Sequence, residues 1–129
     1  MGLLGHSDAD VLVHAACDAL LGAAGLGDLG AHFPDTNEVF KDIYSITLLN
    51  NSIKIVAEQG YRLVNLDATV FAQAPKLAPY RIQMQRTMAQ AMGVHPEQVN
   101  IKATTTEGLG FMGKGEGMAA CCVVLIDKP

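Results

Sequence analysis

Arg62-Leu63-Val64-Asn65-Leu66-Asp67-Ala68-Thr69-Val70-Phe71-Ala72 is where the chain changes its period. Val64, Leu66, Ala68, Val70 and Ala72 alternate with Asn65, Asp67 and Thr69, so one set should face a core and the other face away, as side chains do on a strand. Pro75 and Pro79 end the alternation, because proline cannot donate to a sheet ladder. Upstream the period is helical. Ile46, Leu49, Ile53 and Val56 predict a helix from about Asp42 to Gly60. Further back, Ser7 can cap a helix starting near Asp8, with Val11, Leu12, Ala15, Ala16, Ala19, Leu20 and Ala23 on its apolar side and Gly25 to Gly30 closing it. Downstream, Ile82, Met88, Ala89 and Met92 predict a third helix stopped at Gly93. Two more strands are expected at about Val99 to Thr106 and Gly117 to Ile126. The order helix, helix, strand, helix, strand, strand predicts an α/β (α+β) fold: a mixed β-sheet with helices packed on one face.

The 129 residues fit a single domain spanning 1–129, with no internal repeat or linker. Half the residues are hydrophobic and 17% are charged, a globular composition. Thirteen acids against nine bases, with no cluster of Lys or Arg, argue against a nucleic-acid partner, although a placed lysine can still hold a phosphate. No apolar run is long enough to span a bilayer, so no membrane partner is expected. Cys121 and Cys122 are neighbours on a predicted strand and point to opposite faces, which makes them a poor disulfide pair. A reducing compartment, the cytoplasm or an organelle interior, is the expectation.

Five stretches carry chemistry. In His6-Ser7-Asp8-Ala9-Asp10-Val11-Leu12-Val13-His14, Asp10 and His14 share a helix face and Asp18 lies one turn on. An imidazole so placed suits zinc, and the helix start around His6 and Ser7 suits an anion; a capped helix with solvated acids explains the same letters. In Gly27-Asp28-Leu29-Gly30, leading to His32-Phe33-Pro34-Asp35-Thr36, glycines permit close approach to a phosphate, and a helix end with a turn is the plainer alternative. Ala72-Gln73-Ala74-Pro75-Lys76-Leu77-Ala78 is a proline-stiffened strand exit with one lysine. Lys102-Ala103-Thr104-Thr105-Thr106-Glu107 offers hydroxyls and a carboxylate to phosphoryl oxygens and a hard cation, though threonine is also an ordinary strand residue. Gly108 to Gly117, with Phe111 and Lys114, nearly matches a nucleotide-triphosphatase loop. Gly115 replaces the required Ser or Thr and a strand follows where a helix should, which excludes that class; a lid over a ligand remains open.

In this order and spacing the five stretches resemble the 2-C-methyl-D-erythritol 2,4-cyclodiphosphate synthases of non-mevalonate isoprenoid synthesis, over the whole chain. The resemblance implies a phosphorus–oxygen lyase that converts 4-diphosphocytidyl-2-C-methyl-D-erythritol 2-phosphate to the cyclic diphosphate and releases CMP. It implies a homotrimer with active sites between subunits, in a bacterial cytoplasm or a plastid or apicoplast interior. It implies His6 and Thr105 as the catalytic, transition-state-stabilising pair and His14 as a zinc ligand. Ser7, Asp28, Leu29, Gly30, Phe33, Pro34, Asp35, Thr36 and Asn37 would hold the phosphate and the erythritol portion. Ala72, Gln73, Ala74, Pro75, Lys76, Leu77 and Ala78 would form the cytosine and phosphate pocket. Thr104 and Thr106 would line the diphosphate, Glu107 would carry Mg²⁺ or Mn²⁺, and Phe111 and Lys114 would contact substrate. Lysine at 114 stands where the family commonly has arginine and loses a bidentate fork. The family's first strand carries Asp-x-His, which completes its zinc site; this sequence shows no such segment, so the zinc site is expected to be incomplete and turnover low. The competing expectation is a catalytically silent trimer that only binds cytidine nucleotides.

Overall fold

The computed structural model describes residues 7–34, 42–72, 78–105 and 118–129. Helix α1 spans Ser7–Ala23, a short α2 Leu29–His32, and α3 Asp42–Glu58. Strand β1 follows at Arg62–Ala72, then a 3-10 turn at Ala78–Tyr80, α4 at Arg81–Met92, a second 3-10 turn at Pro96–Gln98, β2 at Val99–Thr105 and β3 at Met118–Asp127. The expected element order is present, with α2 added where a plain turn was expected.

The sheet order is β2-β1-β3, so β1 is central. It pairs parallel with β2 and antiparallel with β3, which makes the sheet mixed. A parallel pair needs a long crossover, and α4 supplies it. One sheet face is apolar. Leu66, Ala68 and Val70 are fully buried on β1, as are Val99 and Ile101 on β2, and Ala120, Cys122, Val124 and Ile126 pack against them from β3. The opposite face carries Asp67, Asn100 and Lys102, where Lys102 Nζ and Asn100 Nδ2 both donate to the Asp67 carboxylate at 2.9 Å.

Helices α1, α3 and α4 contribute the rest of the core. α1 packs on both β3 and α3, and the side of it that carries Leu12, Val13, Ala16, Cys17, Leu20 and Leu21 is buried. Its alanines and leucines are strong helix formers, and each fully buried leucine contributes roughly 1.5–3 kcal/mol. α4 presents Met84, Met88, Ala89, Ala91 and Met92 to the core and ends at Gly93, which is left-handed at φ 71°.

Ala23, expected on the apolar side of α1, is exposed at the helix end, and two further expected inward residues point elsewhere. Val64 is 38% exposed and Leu63 is buried instead. The pairing of β1 with β3 slips by one residue between Leu63 and Asn65, a bulge that reverses the facing of the strand's first residues. Gln98 braces that irregularity. Its Nε2 donates to the carbonyls of Leu63 at 3.2 Å and Val64 at 3.1 Å, and its Oε1 accepts from His95 N–H at 3.0 Å. Ile82, expected on the core face of α4, is 47% exposed, because the buried stripe starts at Met84.

Candidate functional site

The sheet brings the described strand ends of two of the five sequence stretches together. Ala72, the last residue of β1, is in register with Thr105, the last of β2, and with Met118, the first of β3. The described ends of β1 and β2 and the start of β3 therefore lie together at one end of the sheet. This is the carboxyl end of the parallel pair, where ligands bind in open α/β sheets. Thr104 is exposed and in register with Phe71. Gln73 to Leu77, Thr106, Glu107, Phe111 and Lys114 lie outside the described residues, as do His6 and Asp35 to Asn37.

A second group forms around the carboxyl half of α1. Asp10 is 3% exposed and its Oδ1 accepts a 2.6 Å hydrogen bond from Ser45 Oγ, which is fully buried on α3. That contact fixes the roll of α1 against α3 one turn before His14. His14 is half-buried, and desolvation lowers its pKa below the usual imidazole value, against the raising influence of the Asp10 and Asp18 carboxylates. The shift favours the neutral ring, the form that ligates metals.

One turn beyond His14, Asp18 Oδ1 accepts the Leu29 N–H at 2.7 Å. Leu29 opens α2, so its N–H has no acceptor inside the helix and a side chain must supply one. Asp28 caps the same turn, its Oδ1 accepting from Ala31 N–H at 2.9 Å. Leu26 N–H donates to Leu21 O at 2.8 Å, and the His32 ring meets Leu26 O through Nε2 at 2.7 Å. The chain can turn this tightly because Gly25 and Gly27 take φ of 73° and 88°, which other residues rarely adopt. Leu29 puts its side chain into the core at 5% exposure, Gly30 is exposed, Phe33 packs against the core and Pro34 is exposed. Of the residues expected to hold the erythritol portion, Asp28, Leu29 and Gly30 thus sit on one rigid turn tied to α1.

Among the described residues the donors do not make a complete metal site. A catalytic zinc takes three protein ligands and keeps one open position. Among the described residues no group of three His, Cys, Asp or Glu side chains converges. Among the described residues His14 therefore offers one donor towards such a site. Ser45 and Asp18 are the supporting residues that sequence reasoning did not assign; the only signal was the spacing of Asp10, His14 and Asp18 along one helical face.

The fold and these groups define an α/β chain with a candidate ligand site at the carboxyl end of a parallel strand pair and a turn tied to α1 one helical turn from a half-buried histidine. The family model described as "YgbB family" matches residues 1–127, and the chain belongs to that family. It is 59% identical over 126 residues to the 2-C-methyl-D-erythritol 2,4-cyclodiphosphate synthase of Desulfatibacillum aliphaticivorans, covering 98% of this chain and 81% of that protein. Among solved structures it resembles the bifunctional IspDF of Campylobacter jejuni, with TM-score 0.85 and 48% identity, over 98% of this chain and 34% of that one. It also resembles IspF of Plasmodium falciparum in complex with CDP, with TM-score 0.80 and 25% identity, over 92% of this chain and 70% of that one.

Proposed function

We infer that the chain is a phosphorus–oxygen lyase, converting 4-diphosphocytidyl-2-C-methyl-D-erythritol 2-phosphate to 2-C-methyl-D-erythritol 2,4-cyclodiphosphate and CMP. The observation that carries this is the 59% identity over 98% of the chain to a protein named for that product. An oxygen of the substrate's 2-phosphate attacks the β-phosphorus, the bond from that phosphorus to the oxygen bridging it to the α-phosphate breaks, and CMP leaves with the electron pair. The protein supplies no covalent nucleophile, so its work is positioning and charge neutralisation. The competing reading, a silent trimer that only holds cytidine nucleotides, has no observation in its favour over this one.

In this reading the cytidine diphosphate portion lies at the carboxyl end of β1 and β2. The register of Ala72 with Thr105 supports it, as does the CDP bound by a structural relative. The erythritol phosphate lies against the Asp28-Leu29-Gly30 turn near His14. His6 and Thr105 would stabilise the transition state, and Lys76, Thr104, Thr106, Phe111 and Lys114 would contact phosphates and nucleotide. The family is metal-dependent. Zinc at His14 and Mg²⁺ or Mn²⁺ at Glu107 are the assignments the resemblance favours, the ions serving to offset phosphate charge.

A single domain over 1–129 is supported by one family model matching 1–127. A homotrimer with sites between subunits is supported by the apolar outer side of β3, where Val123 and Leu125 are 64% and 57% exposed. Bacterial relatives support a cytoplasmic setting, and among the described residues no helix is long and apolar enough to cross a membrane.

The test is phosphorus NMR of the diphosphocytidyl substrate incubated with the purified chain and a divalent cation. Appearance of the cyclic diphosphate together with CMP is expected. Hydrolysis to an open-chain bisphosphate, or no reaction, would overturn the reading.

A further inference from the structure

We propose that Asp18 is a positioning residue for the substrate: by accepting the Leu29 N–H it sets the Asp28-Leu29-Gly30 turn at a fixed place beside His14. The inference rests on the functional reading above, which assigns that turn to the erythritol portion. The geometry is independent of it. Asp18 lies one helical turn after His14 on α1, and its 2.7 Å bond to Leu29 spans eleven residues of sequence. No neighbouring backbone can replace it, because the first N–H of a helix has no partner within the helix.

The other bonds of the turn do not fix its position in the same way. Asp28 to Ala31 is internal to the turn, Leu26 to Leu21 joins the end of α1 to the residue before the glycine that precedes Asp28, and the His32 ring ties the end of α2 back to that same Leu26 and not to α1 near His14. Gly27 at φ 88° leaves a backbone pivot between that anchor and Asp28. Asp18 closes the pivot from the far side. The buried Leu29 side chain adds apolar contact, but such contact is non-directional and does not set the orientation of the peptide. A carboxylate at Asp28 has a second oxygen with which to accept from a substrate hydroxyl. Where that oxygen stands relative to the His14 ring depends on the Asp18 to Leu29 bond.

Asp18 also lies close enough to His14 to act on its charge, so an electrostatic role must be separated from a positional one. Asp18→Asn keeps an oxygen acceptor of the same reach and removes the charge; Asp18→Ala removes both. Two readouts are taken on the full chain: steady-state CMP release, and hydrogen exchange of the Leu29 amide by NMR. Asp18→Ala is expected to raise KM for the diphosphocytidyl substrate by about tenfold with a much smaller change in kcat, since ground state and transition state lose the same contact. It should also lose Leu29 amide protection while amides in α1 and β1 stay protected. Asp18→Asn should stay within about threefold of the parent in KM and keep the protection. An Asp18→Asn variant as impaired as Asp18→Ala overturns the proposal in favour of a charge effect on His14. Unchanged KM or retained Leu29 protection in Asp18→Ala overturns it outright. A parent chain that releases no CMP refutes the functional reading alone, and the Leu29 exchange comparison then still decides whether Asp18 fixes the turn.

Discussion

Ser45 Oγ donates to Asp10 Oδ1 at 2.6 Å with both side chains buried, so a polar bond between two helices sits inside an otherwise apolar interface. Hydrogen bonds to charged groups contribute more than neutral ones, and a buried carboxylate that loses a donor suffers a desolvation penalty. Ser45→Ala should therefore lower unfolding free energy by about 1–3 kcal/mol in urea denaturation. A midpoint unchanged from the parent's would mean the bond does not hold α1 against α3.

Leu49 is fully buried on α3, in the same core as Leu12 and Leu20 of α1. Leu49→Ala removes apolar contacts and leaves a cavity, and the expected loss is about 2–5 kcal/mol by chemical denaturation. A loss below ~1 kcal/mol would show that the helices collapse onto one another freely, contrary to close packing of α1 on α3.

Gly93 ends α4 at φ 71°, and a Cβ there would meet nothing within 4 Å. Strain alone should then decide the effect of Gly93→Ala, a cost of about 1–2 kcal/mol. Gly93→Asn should cost less, since asparagine visits the left-handed region more readily. Equal stability of all three chains would remove the left-handed cap from the account.

Burial pushes the Cys17 thiol from 9.0 up to about 12, against a smaller lowering influence of the neighbouring Ser52 hydroxyl. The unfolded chain gives up this proton first, so above its ordinary value the unfolded state binds fewer protons than the folded one. Stability contributed by the neutral thiol is complete below pH 9 and is lost as pH rises towards about 12. Denaturation curves between those limits should fall by up to about 1.4 kcal/mol per pH unit more steeply for the parent than for Cys17→Ala. Parallel slopes in the two chains would contradict a buried, neutral Cys17.

Periodicity located α1, α3, β1 and α4, with Ser7, Gly60 and Gly93 marking helix ends, because each buries a continuous stripe and burial follows the period of the backbone. It failed where a single contact overrides the pattern. Val64 reads as inward until the bulge beside it, braced by Gln98 from 34 residues away, turns the strand over. Helix α2 has no period to detect, being four residues long and held by Asp18 and Asp28. The motifs assigned to the candidate site were legible as letters because phosphate chemistry draws on few residue types. Their supports were not: the partner of Asp10 is 35 residues distant, and nothing about a serine within a helix announces it.

The central position of β1 bears on how the chain comes together as it is made. Its neighbour on one side, β2, arrives only after α4 has been synthesised, and its neighbour on the other, β3, is later still. Helix α1 is made before β1 and packs on β3, which is made after it. Until β3 emerges, Leu66, Ala68 and Val70 have one open flank and α1 has an apolar side with nothing to rest on. A nascent chain stalled before Met118 should thus be a ready client for a hydrophobic-binding chaperone, and one extended past Asp127 should not.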